Sequence, residues 1–461
     1  MSDLAVRSDG AEAVRLSDEA VAAYREALKV QAREQTPLDW ARTHSNLGVA
    51  LRAKGIRCAG PDAVRQLREA VAEYREALKV RTGERFPQDW ATTQNNLANA
   101  LRDLAVRSHG VEAADLLHES VGVFQETLKV RTRERVAQQW AMTQMNLGVA
   151  LWSLAERSEG SDVVRLLDAA ASAHRLSLEG YTRDRSAQQW AMSHNNLGMA
   201  LCARAKESTG LEMVRAFDEG VAAYGEALKV RTREHTPQDW ATTQNNLGVA
   251  LTDKAVRGGD EDTSLLLKDA VAAFREALKV RTYEHLPQDW ATTQNNLGNA
   301  LRELAARTQG EAGVRLMERA IVAYQEALRV RTRQELPQDW ATTQNNLGIA
   351  LRAKAAHTDA TEAVRLLEEA VAAFREALKV RTREQLPRAW ATTLNNLALA
   401  LRDRAVRSEG PEAVRLMEEA ISTFRSALEV WTKEHSPYYH GVVAGNLART
   451  EQMLREHSTV R

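Results

Sequence analysis

The stretch PQDWATTQNNLGVALTDKA, Pro237–Ala255, decides the fold. Trp240, Leu247, Leu251 and Ala255 are separated by seven, four and four residues, which sets them on one face of a helix. Thr236, Pro237 and Asp239 read as an N-cap, a first helical position and an acid favoured by the helix dipole. Further on, Leu267, Val271, Phe274 and Leu278 repeat the pattern with spacings of four, three and four.

The same unit runs through the chain. Trp40, Trp90, Trp140, Trp190, Trp240, Trp290, Trp340 and Trp390 recur every 50 residues, and His440 takes the ninth place. The pair Asn46-Leu47 recurs in every unit through Asn446-Leu447. Between the halves, Gly60, Gly110, Gly160, Gly210, Gly310 and Gly410 suit a helix C-cap, and Pro61 and Pro411 then open the second helix. Each unit is expected to be a hairpin of amphipathic helices of roughly 20 and 25 residues, about 30 and 37 Å long. One hairpin cannot bury its own apolar faces, so neighbours must stack. The expected architecture is an all-α, right-handed solenoid of about nine units. Its divisions are an incomplete first unit at 1–36, tandem units over 37–436, and a capping helix with its tail at 437–461. Ser2 to Ser8 match the end of a first helix, as at Arg102 to Ser108, and Tyr438-Tyr439-His440 reads as an end cap.

The 461 residues carry 62 basic and 62 acidic side chains and are 44% hydrophobic, the composition of a soluble protein. Cys58 and Cys202 are too few for a disulfide framework or a cysteine-rich zinc site. The start, Met1 to Arg7, lacks the apolar region of a secretory signal, and no apolar run reaches membrane-spanning length, so a cytoplasmic location is expected. There is no phosphate-binding loop, no His-Glu-x2-His helix and no Gly-x-Ser-x-Gly elbow, so neither an enzyme nor a metal or cofactor site is expected. The repeated basic runs Lys79-Val80-Arg81, Lys129-Val130-Arg131, Lys229-Val230-Arg231 and Lys379-Val380-Arg381 would align as a ladder. They read as cations complementing helix C-termini, because acids such as Glu84 and Asp89 follow and the net charge is zero. Nucleic acid is therefore not the expected partner.

Leu247-Gly248 followed by Ala270-x3-Phe274-x2-Ala277 resembles the tetratricopeptide repeat family, and the match recurs along the chain. The unit is longer than the family's usual period of about 34 residues. Gln244 stands where the family has tryptophan, and Asn245-Asn246-Leu247 is similar to the long units of kinesin light chains. Near-identical long units also resemble bacterial arrays that serve as sensor or regulatory arms of signalling proteins, caspase-like proteases among them. The resemblance implies a non-enzymatic scaffold that holds a peptide or helix of another protein in a concave groove. Within the family, first-helix asparagines grip the peptide backbone, which makes Asn95, Asn195, Asn245 and Asn295 candidates. The Asn46-type residue reads instead as satisfying backbone groups of a neighbouring helix. Self-assembly through the ends, into a dimer, ring or filament, is the second reading.

Two units depart from the pattern. On a helical wheel Thr92, Asn95, Asn99, Arg102 and Asp103 lie opposite the face of Trp90, Leu97 and Leu101. The third unit puts Met142, Met145 and Trp152 on that polar face, and the fourth Met192, Met199 and Cys202. Both replace the helix-opening proline, by Ala137 and Ala187, and the fourth has Ser172, His174, Leu176 and Gly180 in its second helix. An apolar strip of this kind marks an interaction site. Closer helix packing near the missing prolines, or drift after duplication, would leave the same trace.

Overall fold

A proline at the first helical position costs nothing, because the N–H it lacks would have no intrahelical partner. Pro87, Pro287, Pro337 and Pro387 each open a helix, and the preceding residue is held near φ −136° and ψ 61°, as at Phe86. The third and fourth units keep that turn without proline: Val136 has φ −148° and ψ 62°, and Ser186 φ −147° and ψ 48°. Losing the proline therefore leaves the local backbone unchanged.

The computed structural model describes residues 10–258 and 262–459, and the stretch Ser2 to Ser8 lies outside them. The described residues are helical, without strands, and the helices follow one another in antiparallel pairs, a solenoid of about nine repeats. The chain divides into Met1–Thr232 and Arg233–Arg461. In the first unit the helices are α1 (Gly10–Val30), α2 (Pro37–Gly55), α3 (Gly60–Leu78), α4 (Pro87–Arg107), α5 (Gly110–Val130), α6 (Arg133–Ala155), α7 (Ser161–Gly180), α8 (Ala187–Lys206) and α9 (Gly210–Leu228). In the second they are α10 (Pro237–Gly258), α11 (Thr263–Leu278), α12 (Pro287–Ala305), α13 (Gly310–Leu328), α14 (Pro337–Ala355), α15 (Ala360–Leu378), α16 (Pro387–Ala405), α17 (Gly410–Leu428) and α18 (Pro437–Thr459).

Three local expectations are corrected. Most second helices run to about 19 residues, as at Gly60–Leu78, and not to 25. A turn closes behind them, with the Phe86 amide donating to the Thr82 carbonyl at 2.8 Å. The interhelix glycines are not C-caps: Gly60, Gly110 and Gly310 are the first residues of second helices, where a φ of 59° to 66° needs glycine. Thr236 does not cap α10, because its hydroxyl is buried without a hydrogen bond. Among the described residues whose caps are resolved, Asp359 accepts from the Glu362 amide at 3.0 Å.

Within a repeat the paired helices meet where a small residue faces an aromatic ring. A Cβ added at Gly298 would come within 2.6 Å of the Tyr324 ring, which is fully buried. Around contacts of this kind lie Leu47, Leu51, Leu97 and Leu101 in the first unit, each 4% exposed or less, with Leu297, Leu301 and Leu304 in equivalent places in the second. Each such leucine contributes about 2 kcal/mol by burial. Trp290 and Trp340 close the end of each first helix, Trp290 against Leu278, Ala327 and Val330.

Candidate interaction face of the third and fourth repeats

The regular repeats join their first helices through a polar clamp. Arg281, at the end of one hairpin, is 6% exposed and donates to Thr293 at 3.1 Å and to Thr242 at 3.0 Å. Arg331 and Arg381 bind Thr343 with Thr292, and Thr393 with Thr342, in the same way. In the first unit Arg131 binds Thr143 and Thr92. Beside the clamp runs an asparagine ladder. Asn146 donates to the Asn95 side-chain oxygen at 3.3 Å, Asn296 to Asn245 at 3.2 Å, and Asn346 to Asn295 at 3.2 Å. The recurrent Asn46-type residue thus binds a side chain of the preceding repeat, where a backbone partner was expected. Arg52 and Asp103 at 2.7 Å, and Arg352 and Asp403 at 2.6 Å, extend the contact towards the helix ends.

Burial shifts the titration of the clamp. Arg131, Arg281, Arg331 and Arg381 all have their pKa lowered, first by desolvation, which Asp289 and Asp339 oppose at Arg281 and Arg331. These guanidiniums are spent inside the protein. The lysines of the same basic runs are paired too, Lys79 with Glu76 and Lys129 with Glu126.

The seam between the third and fourth repeats dismantles this clamp as a set. Tyr181 takes the arginine's place, Met142 one threonine's and Met145 that of the ladder asparagine. Met145 and Tyr181, each 6% exposed, pack with Trp140, and Met142, Trp190 and Met192 lie against them. Ser193, at the other threonine position, has its hydroxyl 2.8 Å from that of Ser177. Asn196, without a ladder oxygen at Met145, accepts from Asn195 at 3.3 Å.

The nine sequence candidates therefore fall into two groups. Asn95, Asn195, Asn245 and Asn295, 4% to 7% exposed, and Met145 are buried. The polar face of the wheel is largely the seam between first helices, with Asn99 and Asp103 also buried. Met142, Met192, Met199 and Trp152 are half-buried and present part of their surface to solvent. Trp152 leans on the apolar core and Cys202 is buried outside any disulfide. Tyr181 went unnoticed in the sequence, although comparing the repeats at this position, Arg131, Tyr181, Arg231 and Arg281, exposes it.

A cavity of about 350 Å³ opens over Met142. Its walls are Gln138 and Gln139 of α6, Tyr181, Arg185 and Ser186 of the following turn, and Gln189 of α8. Among the described residues no cluster of three His, Cys, Asp or Glu side chains could hold a metal ion, and no helix is long and apolar enough to cross a membrane.

Residues 390–437 match the family profile described as tetratricopeptide repeat. No curated protein sequence matches the chain. Several solved structures are similar in fold. A circular tandem repeat protein is 17% identical, with a TM-score of 0.31, covering 95% of this chain and 99% of its own. A signal-transduction ATPase with numerous domains and a tetratricopeptide repeat sensor, from Pyrococcus horikoshii, is 12% identical with a TM-score of 0.45. That match covers 93% of this chain, which spans only 54% of the archaeal one. Yeast Tom70 is 11% identical, with a TM-score of 0.27, over 96% of this chain and 93% of its own.

Proposed function

We propose that this array of tetratricopeptide-type repeats is a protein-interaction scaffold, and that a segment of its partner docks on α6 and α8 across Met142, Met192, Met199 and Trp152. One observation carries the reading: Tyr181, Met142 and Met145 replace the polar clamp and its ladder asparagine, and Met142, Met192 and Trp152, which stand where most repeats carry threonine or arginine, stay half-buried. Methionine adapts to varied surfaces and tryptophan anchors interfaces, so the strip suits the apolar face of a peptide or helix. The asparagine ladder and Met145 serve as its rigid support. The role of a regulatory arm for a signalling effector rests on the likeness to long, near-identical repeat arrays.

The test is affinity capture from the native host with mass spectrometry. Wild type is compared with a variant carrying Met142→Thr, Trp152→Arg, Met192→Thr and Met199→Asn, with melting curves as the folding control. A partner held by wild type and lost by a folded variant is the expected result. Equal capture by both would remove the site from these repeats, and constant failure with growing mass in light scattering would favour self-assembly.

A further inference from the structure

We infer that a second copy of this chain completes the last repeat, its α1 lying along α18 as the second helix that α18 lacks among the described residues. The contact is separate from the strip on α6 and α8 and does not rest on the docking proposed there. Elsewhere each first helix meets its own second helix at three places. Ala341 packs with Ala377, His44 pairs with Glu73, and Gly48 lies against the Tyr74 ring. On α18 these places hold Gly441, Ala444 and Ala448, and Gly441 and Ala448 are exposed. Ala98 and Ala398, the same residue at the place of Ala448, are 0% exposed. On α1 the matching places hold Ala27, Ala23 and Tyr24. Ala23 is exposed and Tyr24 half-buried, while Tyr74, Phe124 and Tyr324 are buried at the tyrosine's place. The two helices thus carry the two halves of one repeated interface, each uncovered by any described residue.

Charge matches as well. Successive second helices are strapped together by ion pairs 44 residues apart, Arg75 with Glu119 at 2.7 Å and Arg375 with Glu419 at 2.6 Å. The same step from Arg425, counted in 50-residue units, ends at the place of Glu19. Arg425 lines a hollow of about 430 Å³ together with Ile421 of α17 and Glu451 and Leu454 of α18, where a further second helix would pack. Glu451, which stands where Leu51 and Leu401 are buried, holds the Arg425 guanidinium at 2.7 Å. That pair keeps the empty groove polar, which makes the contact reversible. The seam between first helices also fits. Gln31 stands for the clamp arginine at the end of α1, and Val442 for its threonine on α18, so the joint strands no guanidinium. Because α1 and α18 are different surfaces, the contact is heterologous, and every copy carries one of each.

The experiment is sedimentation velocity on the full chain over a concentration series. Wild type is expected to grow in mass as concentration rises. Ala23→Arg blocks α1 and Ala448→Arg blocks α18; both sites are exposed in the single chain, so melting curves should match wild type. Each variant alone should remain monomeric. An equal mixture of the two should stop at twice the monomer mass, because one intact α1 meets one intact α18. As an independent pair, Arg425→Glu should weaken association about fivefold, and adding Glu19→Arg to the same chain should restore it. The inference is overturned by a wild type that stays monomeric up to its solubility limit, or by a mixture that stays monomeric. Self-association of the Ala23→Arg variant would overturn it too, as the mark of a two-fold contact through α18 alone. Partner capture by the strip on α6 and α8 is read separately, so either proposal can fail without the other.

Discussion

At the scale of single residues, the seam between the third and fourth repeats is a coupled exchange: Tyr181, Met142 and Met145 make sense together and not apart. A guanidinium placed alone against the two methionines would be buried without acceptors on one side. Tyr181→Arg is therefore expected to cost about 3 kcal/mol in urea unfolding. Adding Met142→Thr and Met145→Asn rebuilds the clamp and the ladder oxygen for Asn196, and most of the loss should return. Additive penalties in this mutant cycle would show that the three sites act independently. The exchange was within reach of the sequence, because the repeats form an internal alignment. What hid it was the reading of one helix at a time. Tyr181 meets Met142 and Met145 across the hairpin, and helical periodicity reports only neighbours three or four residues away. The same blindness made Asn95 and its equivalents look like free peptide contacts. Their partners, such as Asn146, sit one repeat further on.

At the scale of an element, α7 carries the largest departure in the core. His174 fills the slot that Tyr74, Phe124 and Tyr324 hold elsewhere, 1% exposed, with its Nδ1 unpartnered and Gly148 against the ring. Burial pushes its pKa down to about 4 from 6.5, so the folded protein accepts only the neutral imidazole. The unfolded chain takes up a proton first as pH falls. Stability is thus full above about pH 6.5 and is lost progressively towards pH 4. His174→Phe removes this limb. Urea unfolding at pH 7 and pH 5 should show the variant gaining about 2 kcal/mol on wild type over that interval. Parallel pH profiles would refute the assignment. His194, lowered by burial in the same direction, leaves the variant a smaller slope of its own. Helix identity was legible from periodicity because each apolar face follows the 3.6-residue turn. Helix ends were less so. No glycine or proline lies between Leu78 and Pro87 except Gly83, and α3 stops where Arg81 turns to reach Thr93 at 3.2 Å.

At the scale of the whole molecule, the repeat amplifies whatever one unit does, and charge is the instructive case. A Lys-Val-Arg run in five of the nine equivalent places looks like a ladder for a polyanion, yet the structure uses it up. The clamp arginines Arg131, Arg281, Arg331 and Arg381 are buried between threonines. The lysines beside them, Lys79, Lys129, Lys229 and Lys279, each meet the glutamate three residues earlier. The second helices add further pairs along the stack, Arg75 with Glu119, Arg175 with Glu219 and Arg375 with Glu419. Each exposed pair contributes little to stability, but together they leave few cations to displace counterions. With 62 positive and 62 negative side chains there is no surplus to recruit. The chain should therefore show no appreciable retention on heparin at physiological salt. Fluorescence titration with a mixed-sequence duplex should give a slope of log affinity against log salt near zero, where a protein neutralising several phosphates gives a steeply negative one. A steep slope would mean that lysines leave their glutamates when a polyanion approaches, and the basic ladder would then be a binding surface after all.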